Sequence, residues 1–152
     1  MEFALLLPLL LLISFGIIEF GRGIDEKHSL ATVTREGALL AARGTSLDSV
    51  VNEVMLEGGD IKLATRGGAI ASTIEITAKG AVVRSQFRSS GFATKSRLGA
   101  IGDTVKSLNG LGLLVGTTVY SVEAFFTHTP IVPLAQLYKV AVPATLYEKA
   151  VF

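Results

Sequence analysis

MEFALLLPLLLLISFGIIEFGR, residues 1–22, is an apolar run from Phe3 to Ile18 closed by Glu19 and Arg22, and an amphipathic stretch follows it. The run is a little short against the roughly 20 residues that a straight helix needs to cross a bilayer core, but Phe20 and Gly21 extend it past the single acid at Glu19. It reads as a membrane-spanning helix with Glu19 near one interface. An ionisable group left in hydrocarbon costs at least a few kcal/mol, so Glu19 should sit at the boundary, pair with Arg22 one turn on, or meet a partner helix. The interfacial salt bridge is the favoured form.

From Ile24 to Ala42 the helix is expected to continue. Leu30, Val33, Gly37, Leu40 and Ala41 recur at three and four residues, Lys27, Arg35, Glu36 and Arg43 occupy the remaining faces, and Gly44 is placed to end the helix in a left-handed cap. The expectation is one helix from Phe3 to Ala42, about 60 Å long at 1.5 Å per residue. Gly21 and Gly23 lower helix propensity at the membrane exit and predict a bend or a melted turn there. Pro8 is a second weak point, inside the apolar half.

Beyond Gly44 the pattern becomes that of a small α+β domain. Thr45 or Ser46 caps a short helix through Glu57, with Leu47, Val50, Val51, Val54 and Met55 at helical spacing and Gly58-Gly59 as the stop. Ala69–Thr77 and Ala81–Phe87 read as a hairpin with one wet face, in which Ile70, Ser72, Ile74 and Ile76 share one side and Arg84, Gln86 and Arg88 the polar side. Thr94–Leu108 is expected to be helical from Leu98, Ile101, Val105 and Leu108, although Gly99 and Gly102 weigh against it, and Asn109-Gly110 turns the chain. Leu113–Thr127 is the longest strand, with Tyr120, Val122, Ala124 and Phe126 on one face. Ala144–Phe152 closes the fold after the segment holding Pro130, Pro133 and Pro143. The fold class is therefore α+β: a long N-terminal membrane-spanning helix, then a small domain with a mostly antiparallel sheet. The segments are 1–22 as anchor, 23–44 as its helical extension and 45–152 as the soluble domain.

Composition supports one anchored domain. The chain has 152 residues, 49% of them hydrophobic, and removing the anchor leaves roughly 110 residues, enough for one small core. With no cysteine, disulfides and thiolate metal sites are excluded and packing alone must hold the fold. A net charge of +1 hides a basic middle, where Lys79, Arg84, Arg88, Lys95, Arg97 and Lys106 face only Asp103. A cleaved signal peptide is disfavoured despite the small residues of Ser14-Phe15-Gly16, because no positive n-region precedes the run and the helix continues through the candidate site. Arg22, Lys27 and Arg35 follow the run with no basic residue before it, which on the positive-inside rule keeps the soluble domain cytoplasmic.

Catalytic signals are sparse. His28 and His128 are the two imidazoles, far apart in sequence and without the H-x-x-x-H or paired-carboxylate spacing that metal or acid–base chemistry needs. An acidic cluster gathered around His128 would be the sign of an enzyme. Gly110, Gly112 and Gly116 form a glycine run that enters a strand rather than opening a helix, so its amides would not converge on a phosphate. The basic middle has only Phe87 and Phe92 as aromatics, and nucleic-acid binding is disfavoured. No cofactor is expected.

The N-terminal EFALLLPLLLLISFGIIEFGR, followed by TREGALLAARG, resembles TadE-like proteins, the pseudopilins of the tight-adherence (Flp) pilus system. The resemblance rests on Glu2-Phe3-Ala4-Leu5, Pro8, Gly16, Glu19-Phe20-Gly21-Arg22 and Arg35-Glu36-Gly37-Ala38. TTVYSVEAFFTHTPIVPL and the closing TLYEKAVF are similar to that family as well. The resemblance implies a non-enzymatic pilin-like subunit with an inner-membrane anchor and a periplasmic domain, against the orientation that charge alone favours. Its implied partners are the lipid bilayer, other pilin-like subunits and the pilus assembly platform, in a homo-oligomer or filament. Glu2, Pro8, Gly16, Glu19 and Arg22 are the implied subunit-assembly residues, with Glu2 matching the acid that in pilin-like proteins pairs with an N-terminal amine. The family's basic leader and cleavage motif do not precede Glu2 in this sequence, so processing stays open. The other open reading is a membrane-anchored binding or adhesion domain outside any pilus.

Overall fold

The structure, a computed structural model, describes residues 2–108, 112–131 and 143–152, with the side chains of residues 2–5 left out. The elements run α1 (Glu2–Ala42), α2 (Leu47–Glu57), α3 (Leu63–Arg66), β1 (Gly67–Thr77), β2 (Gly80–Arg88), a 3-10 turn (Lys106–Leu108), β3 (Thr118–Thr127) and β4 (Thr145–Val151). The strands form one four-stranded antiparallel sheet in the order β2-β1-β3-β4. The fold is thus the expected α+β arrangement of a long apolar helix and a small antiparallel sheet domain. The Asn109-Gly110 turn, with Gly110 of the glycine run, and Pro133 fall outside the described residues.

Helix α1 is 41 residues long, about 60 Å at 1.5 Å per residue. It stays helical through Pro8, Gly21 and Gly23, so the melted turn expected at the membrane exit is absent. Gly23 is buried against the domain, and that packing supplies the order that glycine propensity withholds. Gly44 ends the helix with φ +94°. Thr45 N–H donates to the Leu40 carbonyl at 3.2 Å and Gly44 N–H to Ala41 at 3.0 Å, the paired bonds of a left-handed glycine cap.

The two halves of α1 differ in what they touch. Leu6 to Ile18 is exposed along nearly its whole circumference, which is the condition of a helix whose solvent is lipid. From Glu19 onward a stripe is buried: Glu19, Gly23, Glu26, Leu30, Val33 and Thr34, Gly37 and Ala38, then Ala41. Steps of three and four residues keep this stripe on one face, and it lies on the sheet.

Small side chains let helix and sheet approach closely. Ala69, Ala71 and Ala124 line the sheet beneath α1, joined by Val122, Phe126 and Leu146, and by Val50, Val51 and Val54 of α2. At Gly37 the helices come so near that a Cβ would overlap Val54 Cγ2. Gly37→Leu should therefore push α2 off the core and cost about 1–3 kcal/mol by overpacking, more than the roughly 1 kcal/mol that helix propensity returns. Thermal unfolding by circular dichroism measures it; an unchanged midpoint would mean that α2 is not fixed at this contact.

The opposite face of the sheet is also covered, which corrects two expectations. Strand β1 lies between two neighbours and is buried on both sides for most of its length, so the wet face of the hairpin is confined to β2, where Arg84 is exposed. The covering layer is the long segment after β2. Thr94–Leu108 is not a helix: Gly99 and Gly102 hold φ at +110° and +93°, and only Lys106–Leu108 coils, as a 3-10 turn. Leu98, Val105 and Leu108 instead pack over Ile74, Ile76, Val83 and Val119. Their helix-like spacing marks a loop laid across a sheet. Strand β3 likewise begins at Thr118, not Leu113, because Gly116 turns the chain at φ +91°.

Candidate functional site

Glu19 and Glu26 stand seven residues apart on the buried stripe of α1, two turns along one face. His128 follows directly after β3 and enters between them. Its Nε2 lies 2.9 Å from Glu19 Oε1 and its Nδ1 lies 2.5 Å from Glu26 Oε2. Both the His128 and Glu19 side chains are 2% exposed. Ionised carboxylates only accept hydrogen bonds, so filling both ring nitrogens requires an imidazolium or a proton on one carboxyl group.

Two arginines close the cluster. Arg22 Nη2 donates to Glu26 Oε1 at 2.8 Å and to the Thr129 carbonyl at 3.3 Å. The Arg22–Glu19 pair read from sequence is the longer one, at 3.8 Å. Arg66, at the end of α3, lies 3.4 Å from Glu26 Oε1, donates to Thr129 Oγ1 at 2.7 Å and stacks 4.6 Å from the Phe126 ring centroid. The backbone N–H of Ile131 donates to Glu19 Oε2 at 3.1 Å. One knot, buried at Glu19, Glu26 and His128, thereby ties the middle of α1 to α3 and to the chain leaving β3.

Burial pushes the Glu26 carboxyl up, but hydrogen bonds from His128 and Arg22, with their charges, outweigh it and hold the group below its ordinary 4.5. The folded state then binds this proton less tightly than the unfolded chain. Its stabilisation is full above pH 4.5 and is lost as pH falls through the lower folded value. Glu26→Gln should flatten the pH dependence of denaturant unfolding in that acid window, and an unaltered slope there would remove Glu26 from the acid response.

A second buried acid lies on the other face of the sheet. Glu123 of β3 accepts from Ser96 Oγ, from Arg97 N–H at 2.9 Å and from the Tyr147 hydroxyl at 2.8 Å. Burial first, and the Glu123 carboxylate second, push the Tyr147 hydroxyl well above its ordinary value. Glu123 thus pins the covering loop to β4.

The cluster around His128 is the acid–imidazole grouping that would signal an enzyme. Both ring nitrogens are occupied by carboxylates, which leaves none to take a proton from a substrate. Among the described residues no group of three or more His, Asp or Glu side chains is arranged to hold a metal ion.

Of the residues singled out from sequence, the structure unites Glu19 and Arg22 and leaves the others along the rod. Pro8 is exposed and Gly16 half-buried in the exposed half of α1, while Glu2 opens the helix with its side chain outside the described set. Glu26, Arg66 and His128 were not singled out as partners of Glu19. Extending the Leu30–Val33–Gly37 stripe backward by threes and fours reaches both Glu26 and Glu19, and two acids on an apolar stripe demand a cation.

The architecture defines a class, an α+β domain welded to one helix that is long and apolar enough to cross a membrane. A family model described as TadE, TadE-like protein, matches residues 1–39, and the N-terminus of the chain is accordingly TadE-like. The match covers the exposed half of α1 and the Glu19–Arg22–Glu26 turns, and stops before the sheet. No curated protein and no solved structure matches the chain.

Proposed function

We propose that the protein is a non-enzymatic, pilin-like subunit in the assembly of tight-adherence pili, anchored in the bacterial inner membrane with its sheet domain on the periplasmic side. The observation that carries this reading is the division of α1. One unbroken helix presents Leu6–Ile18 bare and locks Glu19–Ala41 onto the domain. A rod of this kind can leave lipid for a filament core without exposing its apolar face to water, because neighbouring helices replace the lipid. The TadE-like match over residues 1–39 supports the same reading.

Within it, Glu2, Pro8 and Gly16 act in helix–helix registration, and Glu19 and Arg22 set the angle at which the rod leaves the domain. The partners are other pilin-like subunits and the assembly platform. Gly16 offers a point of close approach between apolar helices. A cysteine at Gly16 should crosslink to a pilin-like neighbour in cells that make the whole pilus system, and absence of any crosslinked species there would remove the basis for helix packing. The competing reading, an anchored adhesion domain outside any pilus, predicts that crosslink's absence together with retained adhesion.

A further inference from the structure

On the side of α1 away from Arg22, a groove of about 420 Å³ runs between the helix and β4. Phe20 and Ile24 form its apolar wall on α1, Lys27 stands one turn above them, and Arg97, Pro143 and Tyr147 close it from the domain. Phe20, Ile24 and Lys27 are spaced by four and three residues, so apolar surface gives way to a cation along one line of the helix.

The level of the groove follows from helix geometry. About 20 residues fill a hydrocarbon core of roughly 30 Å, and counted from Phe3 they end near Arg22. The groove therefore straddles the boundary, with Phe20 at the edge of the hydrocarbon and Lys27 in the headgroup layer. Phe20 and Ile24 remain 51% and 44% exposed, and acyl chains would cover that surface.

The charge at its mouth is specific. The Arg97 guanidinium lies 4.1 Å from the Tyr147 ring centroid and 5.9 Å from that of Phe125. Among the described residues no carboxylate comes within ion-pair distance of it. Among the described residues Lys27 pairs with Glu148, at 3.6 Å, and its side chain is 60% exposed. Glu123 beneath Tyr147 is buried and held by its three donors.

The geometry points to a binding site for an anionic phospholipid, its phosphate between Lys27 and Arg97 and its acyl chain along Phe20 and Ile24. The argument rests on the reading of α1 as a membrane span. A guanidinium on an aromatic face offers its N–H edge to phosphate oxygens, and the tyrosine is suited to the headgroup level. Basic residues at a membrane surface each favour anionic lipid by a factor of about 5.4, so the pair amounts to about thirty-fold. An occupied site would fix the depth and rotation of the helix while it waits in the membrane.

The test is full-length protein in nanodiscs of phosphatidylcholine with a minority of phosphatidylglycerol, followed by native mass spectrometry of the released protein. Wild type should retain phosphatidylglycerol in preference to phosphatidylcholine. K27Q/R97Q should lose that preference by about thirty-fold, while R84Q/R88Q, which removes two cations from β2, should keep it. Equal incorporation of all three into discs shows that the anchor is intact and separates failure of the site from failure of the span. Excess inorganic phosphate should leave retention unchanged, since it has no chain to pack on Phe20 and Ile24. No preference in wild type, unchanged retention in K27Q/R97Q, displacement by inorganic phosphate, or a change in protein copy number in place of lipid retention would each overturn the assignment.

Discussion

His128→Ala is expected to destabilise the fold by about 3–5 kcal/mol, the cost of removing one partner from a buried charge pair. Glu19 is 2% exposed, and His128 Nε2 at 2.9 Å is its nearest side-chain contact, since Arg22 stands off at 3.8 Å. Without the imidazole, one carboxylate keeps only the Ile131 amide and a distant guanidinium. Glu26 fares better, because Arg22 and Arg66 remain at 2.8 and 3.4 Å. For a domain of this size the loss corresponds to a fall in Tm of roughly 10–20 °C, measurable by circular dichroism in detergent. Replacing both partners, Glu19→Leu with His128→Leu, should recover most of it, since the apolar pair removes the stranded Glu19 carboxylate and Glu26 keeps Arg22 and Arg66. A single variant that melts with wild type would show that the knot is not what fixes the exit of α1.

The cluster was hidden from sequence reading for a physical reason. Its acids are local to one helix, but the imidazole arrives from the end of β3, more than a hundred residues further along the chain, and pairing across that separation is set by β3 and its register. What the sequence carried was half of the pattern. A stripe of Leu30, Val33, Gly37 and Ala41 that runs back into Glu26 and Glu19 declares a buried charge without naming its partner. Glu123 carries the same kind of signal, an acid inside the apolar run Val122–Phe126, and its donors likewise come from other elements.

Helix α1 and the strands were legible because their periodicities are long and unmixed. The segment 94–108 was not, since Leu98, Ile101, Val105 and Leu108 satisfy helical spacing while two left-handed glycines forbid the helix. Ile101, the member of that series left exposed, shows that the spacing was coincidental. Sheet packing selected the other three. The double burial of β1 was similarly illegible, because Ala69 and Ala71 are too small to announce a core face until a helix lies on them.

Glu2→Ala is expected to abolish piliation while leaving membrane insertion and the sheet domain intact. Glu2 begins a helix whose next turns are apolar and, from Leu6 onward, exposed, so its carboxylate is tolerated at the membrane surface or opposite a cation such as a neighbouring subunit's amine. Removing the acid makes the anchor more apolar, and insertion has no reason to suffer. Inside a filament the balance reverses. There the amine would lose its counter-charge in a low-dielectric core, at about 3–5 kcal/mol per subunit, which reduces each docking step by at least a hundredfold. Surface filaments counted by electron microscopy, and adhesion to an abiotic surface, should both collapse at unchanged protein level. Glu75→Ala is the matched control: its pair with Arg84 is exposed on the sheet, where such bridges contribute about 0–1 kcal/mol, and piliation should be normal. Wild-type filaments in Glu2→Ala cells would end the ion-pair role and leave the anchored adhesion domain as the better account of a rod whose first half is bare.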